Sequence, residues 1–490
     1  MLSIQFGVQV DMSSMAALSR TFEQIIGEAD DVEAHKSDKY VWETETGVVV
    51  TLRGDFNYSY STTVNDVESV EIHTADGLLI LSAKDLKDFD WDDLYDDGNI
   101  EKVLEQIERG ASITGSRFND VLVGGDDDDI LMGAAGNDIL KGLGGNDDLM
   151  GGNGNDTYFI DGTGEINKTI SDPGIDTVKS SVGYSLGSRQ ENLMLTGKSP
   201  INGSGNSPDN KLYGNSGSNQ LTGLGGNDHL EGGAGKDHLL GGMGDDLLIG
   251  GPGIDRLSGE GGNDVYVIAN ATEINKSLSD PGVDAVRTTV TYILGSQQED
   301  LTLLGTWNTN GTGNTKANVI TGNGSNNALA GSGGNDTLNG GSGADVLNGQ
   351  TGADVLKGQT GPDTLDGGLG NDVLVGGSDN DIFLFNNALG VTNIDTITDF
   401  GGAGSVALDL IHLDDAIFTA LTVGTMADPA FESGAGLTAA ATAEGRIICD
   451  TSTGALYYDA DGSGTGSVAI QFAVIGANLS DLSAADFVVV

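Results

Sequence analysis

The sequence predicts an all-β fold, a parallel solenoid of short strands and tight turns, on three observations. A nine-residue period runs without a slip through Asn318, Asn327, Asp336, Asp345, Asp354, Asp363, Asp372 and Asp381. Two positions beyond each of these stands a large apolar residue: Ile320, Leu329, Leu338, Leu347, Leu356, Leu365, Leu374 and Phe383. A glycine-rich turn precedes the acid, as in Gly340-Gly341-Ser342-Gly343-Ala344-Asp345. A period of nine fits neither a helix nor a plain alternating strand. It fits a coil in which turns and strands alternate and one large side chain per phrase points inward.

Each residue type in the phrase has a chemical reason. A tight reversal that aims several carbonyl oxygens at one place needs the positive φ angles glycine adopts without strain, and the aspartate adds a carboxylate at the rim of the turn. Ca²⁺ takes six to eight oxygens at about 2.3–2.6 Å, mixing carbonyls with carboxylates. Stacked turns two phrases apart supply such a set. The candidate metal ligands of the third run are therefore Asp336, Asp345, Asp354, Asp363, Asp372 and Asp381.

Two further runs keep the same spacing. The first has Asp120, Asp129, Asp138, Asp147 and Asp156, with Leu122, Leu131, Leu140, Leu149 and Tyr158 inward. Its turns are impure, with Asp127 and Ala134 in glycine places, so weaker sites are expected there. The second has Asn210, Asn219, Asp228, Asp237, Asp246, Asp255 and Asp264 over a core column from Leu212 to Tyr266. Asparagine carries no charge, so the rows at Asn210, Asn219, Asn318 and Asn327 are expected to be rungs holding few or no ions. Between the runs, Glu165-Ile166-Asn167-Lys168 recurs as Glu273-Ile274-Asn275-Lys276, and Glu191-Asn192-Leu193 as Glu299-Asp300-Leu301, each offset by 108 residues. The middle of the chain is thus a duplicated module of spacer plus run.

Residues 1–112 are different material. Met15, Leu18, Phe22, Ile25 and Ile26 recur at helical spacing and stop at Gly27, and Ile100, Val103, Leu104 and Ile107 form a second helical face. Segments 47–52, 70–72 and 78–81 read as strands. Beyond Phe383 the period stops, and an open solenoid end needs a cover for its exposed strand edges.

Composition narrows the function classes. The 490 residues include 22 basic and 73 acidic ones, a net charge of −51. Phosphate binding needs basic patches, so nucleic acid is excluded as a partner. The acids lie in register inside glycine turns, which points to cations. A chain so charged repels itself without them, and metal binding would then carry folding free energy. The single cysteine, Cys449, forms no internal disulfide, and no apolar run reaches membrane-spanning length.

These repeats resemble the repeat-in-toxin (RTX) family of hemolysin-type calcium-binding proteins. The resemblance covers residues 113–490. It implies a right-handed parallel β-roll, a β-helix solenoid, with a small α+β N-terminal cap and a β-rich C-terminal cap. It also implies multiple calcium ions and export to the extracellular side through a type I secretion apparatus, without an N-terminal signal peptide. The expected organisation is a cap domain at 1–112, runs at 113–158, 210–266 and 318–383, spacers at 159–209 and 267–317, and a cap with secretion signal at 384–490. Asp395-Thr396-Ile397, Asp409-Leu410-Ile411 and Gly454–Gly462 look like the family's terminal cap, and Asp486-Phe487-Val488-Val489-Val490 like its secretion signal.

Catalytic constellations are scarce. His35, His73, His229, His238 and His412 form no His-Glu-x-x-His pair. Gly183-Tyr184-Ser185-Leu186-Gly187 fits the nucleophile-elbow pattern, but the duplicate puts Ile293 in the serine's place, so a repeat strand is expected. Asp459-Ala460-Asp461-Gly462 lacks the glutamate that completes an EF-hand loop. The reading is a non-enzymatic calcium-binding protein. Its alternatives make residues 1–112 an adhesive head for a cell surface or glycan, with the roll as stalk, or a hydrolase.

Overall fold

The computed structural model describes residues 111–490 apart from 116, 126–127, 167–172, 275–280, 402–407 and 477–481, together with five backbone strands within 1–110. Two compact units form, residues 1–240 and 241–490.

In the first unit, strands Leu2–Phe6, Lys39–Glu43, Val48–Gly54, Val67–Thr74 and Leu79–Leu86 build an antiparallel sheet. The expected strand 70–72 falls inside one of these, and 47–52 and 78–81 overlap two others, each beginning one residue earlier. Both expected helices lie outside the described residues. Leu2–Phe6 also pairs in parallel with Ala111–Thr114, which pairs in turn with Ile130–Ala135, so the sheet runs directly into the solenoid.

From there the pairing is parallel and every second phrase is a neighbour. Leu122 faces Leu140, which faces Tyr158; on the other side Leu131 faces Leu149. The spacer does not interrupt this column, because Tyr158 pairs with Val178, Val178 with Leu193, Leu193 with Leu212, and Leu212 with Leu230. The second unit repeats the scheme. One column runs Tyr266, Val286, Leu301, Ile320, Leu338, Leu356, Leu374 and Ile397. The other runs Leu329, Leu347, Leu365, Phe383, Ile411 and Phe487.

Number the phrase from the first glycine of the turn, so that the acid is position six and the leucine position eight. Strand alternation then turns positions eight and one inward, as in Thr337–Ser342, where Leu338 and Gly340 are buried between exposed or half-buried neighbours. A run strand that leads into a glycine turn therefore buries one large side chain. Position two needs a left-handed backbone, and Ala134, Leu143, Leu224, Glu260, Ser332, Gln350 and Gln359 adopt positive φ there. That conformation costs an L-residue roughly 1–2 kcal/mol, which the stacked coils on either side impose. Position five carries an outer ladder, in which the Asn119 side chain accepts the N–H of Asn137, and Asn137 that of Asn155.

Past Phe383 the columns close into a cap. Antiparallel strands Ile447–Asp450, Ala455–Tyr458 and Ile470–Ile475 pack aromatic residues around Phe418, which meets Tyr458 and Phe472 edge-on. The tail Phe487–Val489 is a packed strand beside Leu410–Leu413, with Phe487 fully buried. Among the described residues the only helical turns are the 3-10 segments Asp428–Ala430 and Ala484–Asp486.

Leu356 sits mid-column with no exposed surface. Leu356→Ala in the calcium-saturated protein is expected to cost about 2–5 kcal/mol. A urea titration against wild type measures it, and a cost under about 1 kcal/mol means the column is not a packed core.

Candidate metal centre

The row acids form two side-chain ladders. The backbone N–H of Asp336 donates to Asp354 Oδ1 at 2.7 Å, that of Asp354 to Asp372 Oδ1 at 2.7 Å, and that of Asp345 to Asp363 Oδ1 at 2.8 Å. In the first unit Asp120 donates to Asp138, Asp129 to Asp147 and Asp138 to Asp156 in the same way. One carboxylate oxygen of each accepting aspartate thus holds two coils in register.

The second oxygen turns toward the first glycine of its own turn. A methyl group on Gly340 would lie 2.5 Å from Asp345 Oδ2 and 2.8 Å from the Gly358 carbonyl oxygen of the next coil. Gly331, Gly349 and Gly358 sit in the same embrace of an aspartate oxygen and a carbonyl. Glycine is required here because the carboxylate occupies the space a Cβ would need. In Asp147, Asp336, Asp345, Asp354, Asp363, Asp372 and Asp381, Oδ2 is buried and has no hydrogen-bond partner. Buried carboxylate oxygens that converge with carbonyls, with no donor between them, are the donor set of a hard cation. Among the described residues no three His, Cys, Asp or Glu side chains converge as a ready cage. A cation in this turn therefore draws on backbone oxygens as well as carboxylates.

The family model of the RTX calcium-binding nonapeptide repeat matches residues 111–158, 204–267 and 312–383. Residues 111–383 carry RTX repeats. A search of curated proteins returns no match. The RTX match leaves out 159–203 and 268–311, yet those spacers continue the acid ladder. Asp176 accepts the N–H of Asp156, and Glu191 that of Asp176; Asp284 and Glu299 repeat this in the second unit. Glu165 and Glu273 lie buried one coil beyond Asp147 and Asp255. At the end of the third run, Asp395 and Asp409 receive the N–H groups of Asp372 and Asp381. None of these eight acids has the glycine turn that marks the repeats. The signal available was an acid with an apolar residue two positions on, as in Asp176 and Val178, Glu191 and Leu193, or Asp395 and Ile397.

The remaining candidates sit apart from the ladders. His229 and His238 occupy strands and are half-buried rather than exposed. Tyr184–Ser185 is a two-residue parallel strand. Asp461 Oδ2 accepts the N–H groups of Gly466 and Ser467, closing its own loop. Among the described residues no helix is long and apolar enough to cross a membrane.

Electrostatics sharpen the demand for a cation. Burial pushes Asp354 and Asp381 up to about 7, and Asp336 and Asp363 up to about 6; neighbouring row carboxylates add to this at Asp354, Asp363 and Asp381. In the first unit burial pushes Asp228 up to about 7 and Asp147 up to about 6. Without metal, the folded chain holds these protons above pH 3.8, where the unfolded chain has begun to release them. The stability they contribute is full below that value and is lost as pH rises through about 6 to 7. In chelator the protein is therefore expected to melt at a higher temperature near pH 5 than near pH 7.5. In saturating calcium the order reverses, because protons now compete with the metal. Melting curves in both buffers check this, and a metal-free melting temperature that rises with pH contradicts it.

Proposed function

We propose that this protein is a secreted RTX protein whose roll folds on binding calcium outside the cell, after export through a type I apparatus. The observation that carries the reading is the column of buried, donorless Oδ2 atoms at Asp336, Asp345, Asp354, Asp363, Asp372 and Asp381. The residues that would hold calcium are these row aspartates and their counterparts in the other runs, with the carbonyls at position one of the adjoining coil. When bound, calcium supplies the positive charge that buried oxygens need in place of water. The chain's own part is to bring those oxygens together only when folded, so that metal affinity and folding become one equilibrium.

Charge supports the direction of the switch. At −51, the metal-free chain is held open by self-repulsion, a state suited to threading through a channel. Extracellular calcium modules work at about 10⁻⁴–10⁻³ M, a concentration that separates outside from cytosol. The reading assigns no catalytic step to the chain.

Circular dichroism of the full chain during a calcium titration tests this. Strand signal is expected to rise with calcium over the extracellular range and to fall when chelator is added. A spectrum and melting temperature indifferent to chelator would falsify the proposal. A second measurement bears on the site itself. Gly349→Ala and Gly358→Ala place methyl groups against the Asp354 and Asp363 carboxylates, and are expected to lower the number of ions bound in equilibrium dialysis. Unchanged stoichiometry in that pair would move the ions elsewhere.

A further inference from the structure

Four turns depart from the glycine-rich phrase in a common way. Gly205-Asn206-Ser207-Pro208-Asp209-Asn210, Gly214–Asn219, Gly313–Asn318 and Gly322–Asn327 all read Gly-Asn-x-x-x-Asn, with asparagine at positions two and six. They lie where a run meets a spacer, twice in each copy of the duplicated module. The side chains do different work from those of the aspartate rows.

At position six the amide points its N–H group at the coil before it. Asn318 Nδ2 donates to the Glu299 carbonyl at 3.0 Å, Asn327 Nδ2 to the Thr309 carbonyl at 2.6 Å, and Asn210 Nδ2 to the Glu191 carbonyl at 3.2 Å. An aspartate row instead meets a backbone N–H from that coil. At position two the amide bridges two carbonyls. Asn314 Nδ2 reaches Gly295 and Gln298, both at 2.6 Å, and Asn206 Nδ2 reaches Gly187 at 2.5 Å and Gln190 at 2.7 Å. Asn215 bridges Thr196 and Ser199 in the same manner, and Asn323 bridges Leu304 and Trp307. The carbonyl side of three of these amides accepts an N–H two residues on, at Gly217, Lys316 and Ser325, so the side chain shapes the turn. None of the four takes the left-handed backbone seen at position two of the runs.

Packing and charge agree with this. Strands Asn192–Leu195 and Asp300–Leu303 each bury two large side chains, Leu193 with Leu195 and Leu301 with Leu303, where a run strand that leads into a glycine turn buries one. Gln190 and Gln298 are buried, and each accepts a tyrosine hydroxyl and a backbone N–H. The Glu299 carboxylate pairs with Lys316, inside one of the asparagine turns.

Resting on the calcium reading above, we infer that the Gly-Asn-x-x-x-Asn turns are calcium-free rungs. Their amide N–H groups fill the place of the metal, so that the two segments spanning the end of a spacer and the start of a run, about 184–222 and 292–330, fold without calcium and seed the coils beside them. An amide satisfies carbonyl oxygens that a carboxylate would repel, and it does so at any calcium concentration.

Hydrogen exchange on the full chain, in chelator and in calcium, decides the matter. In chelator, 184–222 and 292–330 are expected to stay protected while 336–381 exchanges like unfolded chain; in calcium both are protected. If the spacer segments also lose protection in chelator and regain it in calcium, the asparagine rungs need metal and the inference is overturned, with the calcium reading intact. Protection everywhere in both buffers overturns the calcium reading and this inference with it. Asn318→Asp combined with Asn327→Asp gives a second measurement. It turns two donors into carboxylates facing the Glu299 and Thr309 carbonyls, so protection over 292–330 is expected to be lost in chelator and recovered in calcium. Retained protection in chelator overturns the role given to the amides.

Discussion

The structure depends on one steric and electrostatic conflict at position one of the turn. The aspartate's second oxygen and a Cβ cannot share that space, so the inward position is glycine in every aspartate row. Glycine there clears the way for the next coil's carbonyl to approach the same carboxylate. The arrangement gathers oxygens and gives up apolar contact. A strand that would bury two large side chains buries one, at a loss of about 1.5–3 kcal/mol of hydrophobic stabilisation per strand. The same substitution that prepares a cation site therefore thins the core around it. On the proposed reading, metal dependence in this fold is a consequence of geometry as much as of charge.

The spacers take the opposite course with the same architecture. Their coils keep the parallel register, as Val286 pairs with Leu301 and Leu301 with Ile320, and at Leu195 and Leu303 they restore the second inward side chain. Amides replace carboxylates at the turns, and Lys316 pairs with the Glu299 carboxylate. An unpaired buried carboxylate is costly, whereas an amide that meets carbonyls with its own N–H groups is not. On the proposed reading, a chain that alternates the two kinds of coil divides itself into parts that answer to calcium and parts that do not.

How much of this was legible in the sequence follows from what has a period. The leucine columns and the sixteen row aspartates repeat every nine residues, so both could be placed by counting. The spacers could not, because successive ladder acids stand 20 and 15 residues apart at Asp156, Asp176 and Glu191, and no fixed period survives that. Their membership in the ladder is set by three-dimensional register, with connections of unequal length between rungs. The left-handed backbone at Gln350 and Gln359 was equally hidden, since glutamine has no preference for it and the neighbouring coils impose it. The asparagine rows were legible as uncharged. What their amides do instead was not, because the carbonyls they meet belong to spacer coils that lacked a visible place.

The same bookkeeping of donors explains the end of the third run. In the third run every row aspartate offers a backbone N–H that the acid one coil further on accepts, so the last two rows leave two N–H groups without a row successor. Asp395 and Asp409 accept them across separations of 23 and 28 residues, where the repeat uses 18. Asp399 then takes the N–H groups of Gly376 and Gly377, which the next glycine turn would have covered. The strand Phe487–Val489 lies against Leu410–Leu413 and covers that sheet edge. The final residues are thus part of the fold once it has formed. If they also serve as an export address, they do so before folding, because afterwards Phe487 is buried in the cap.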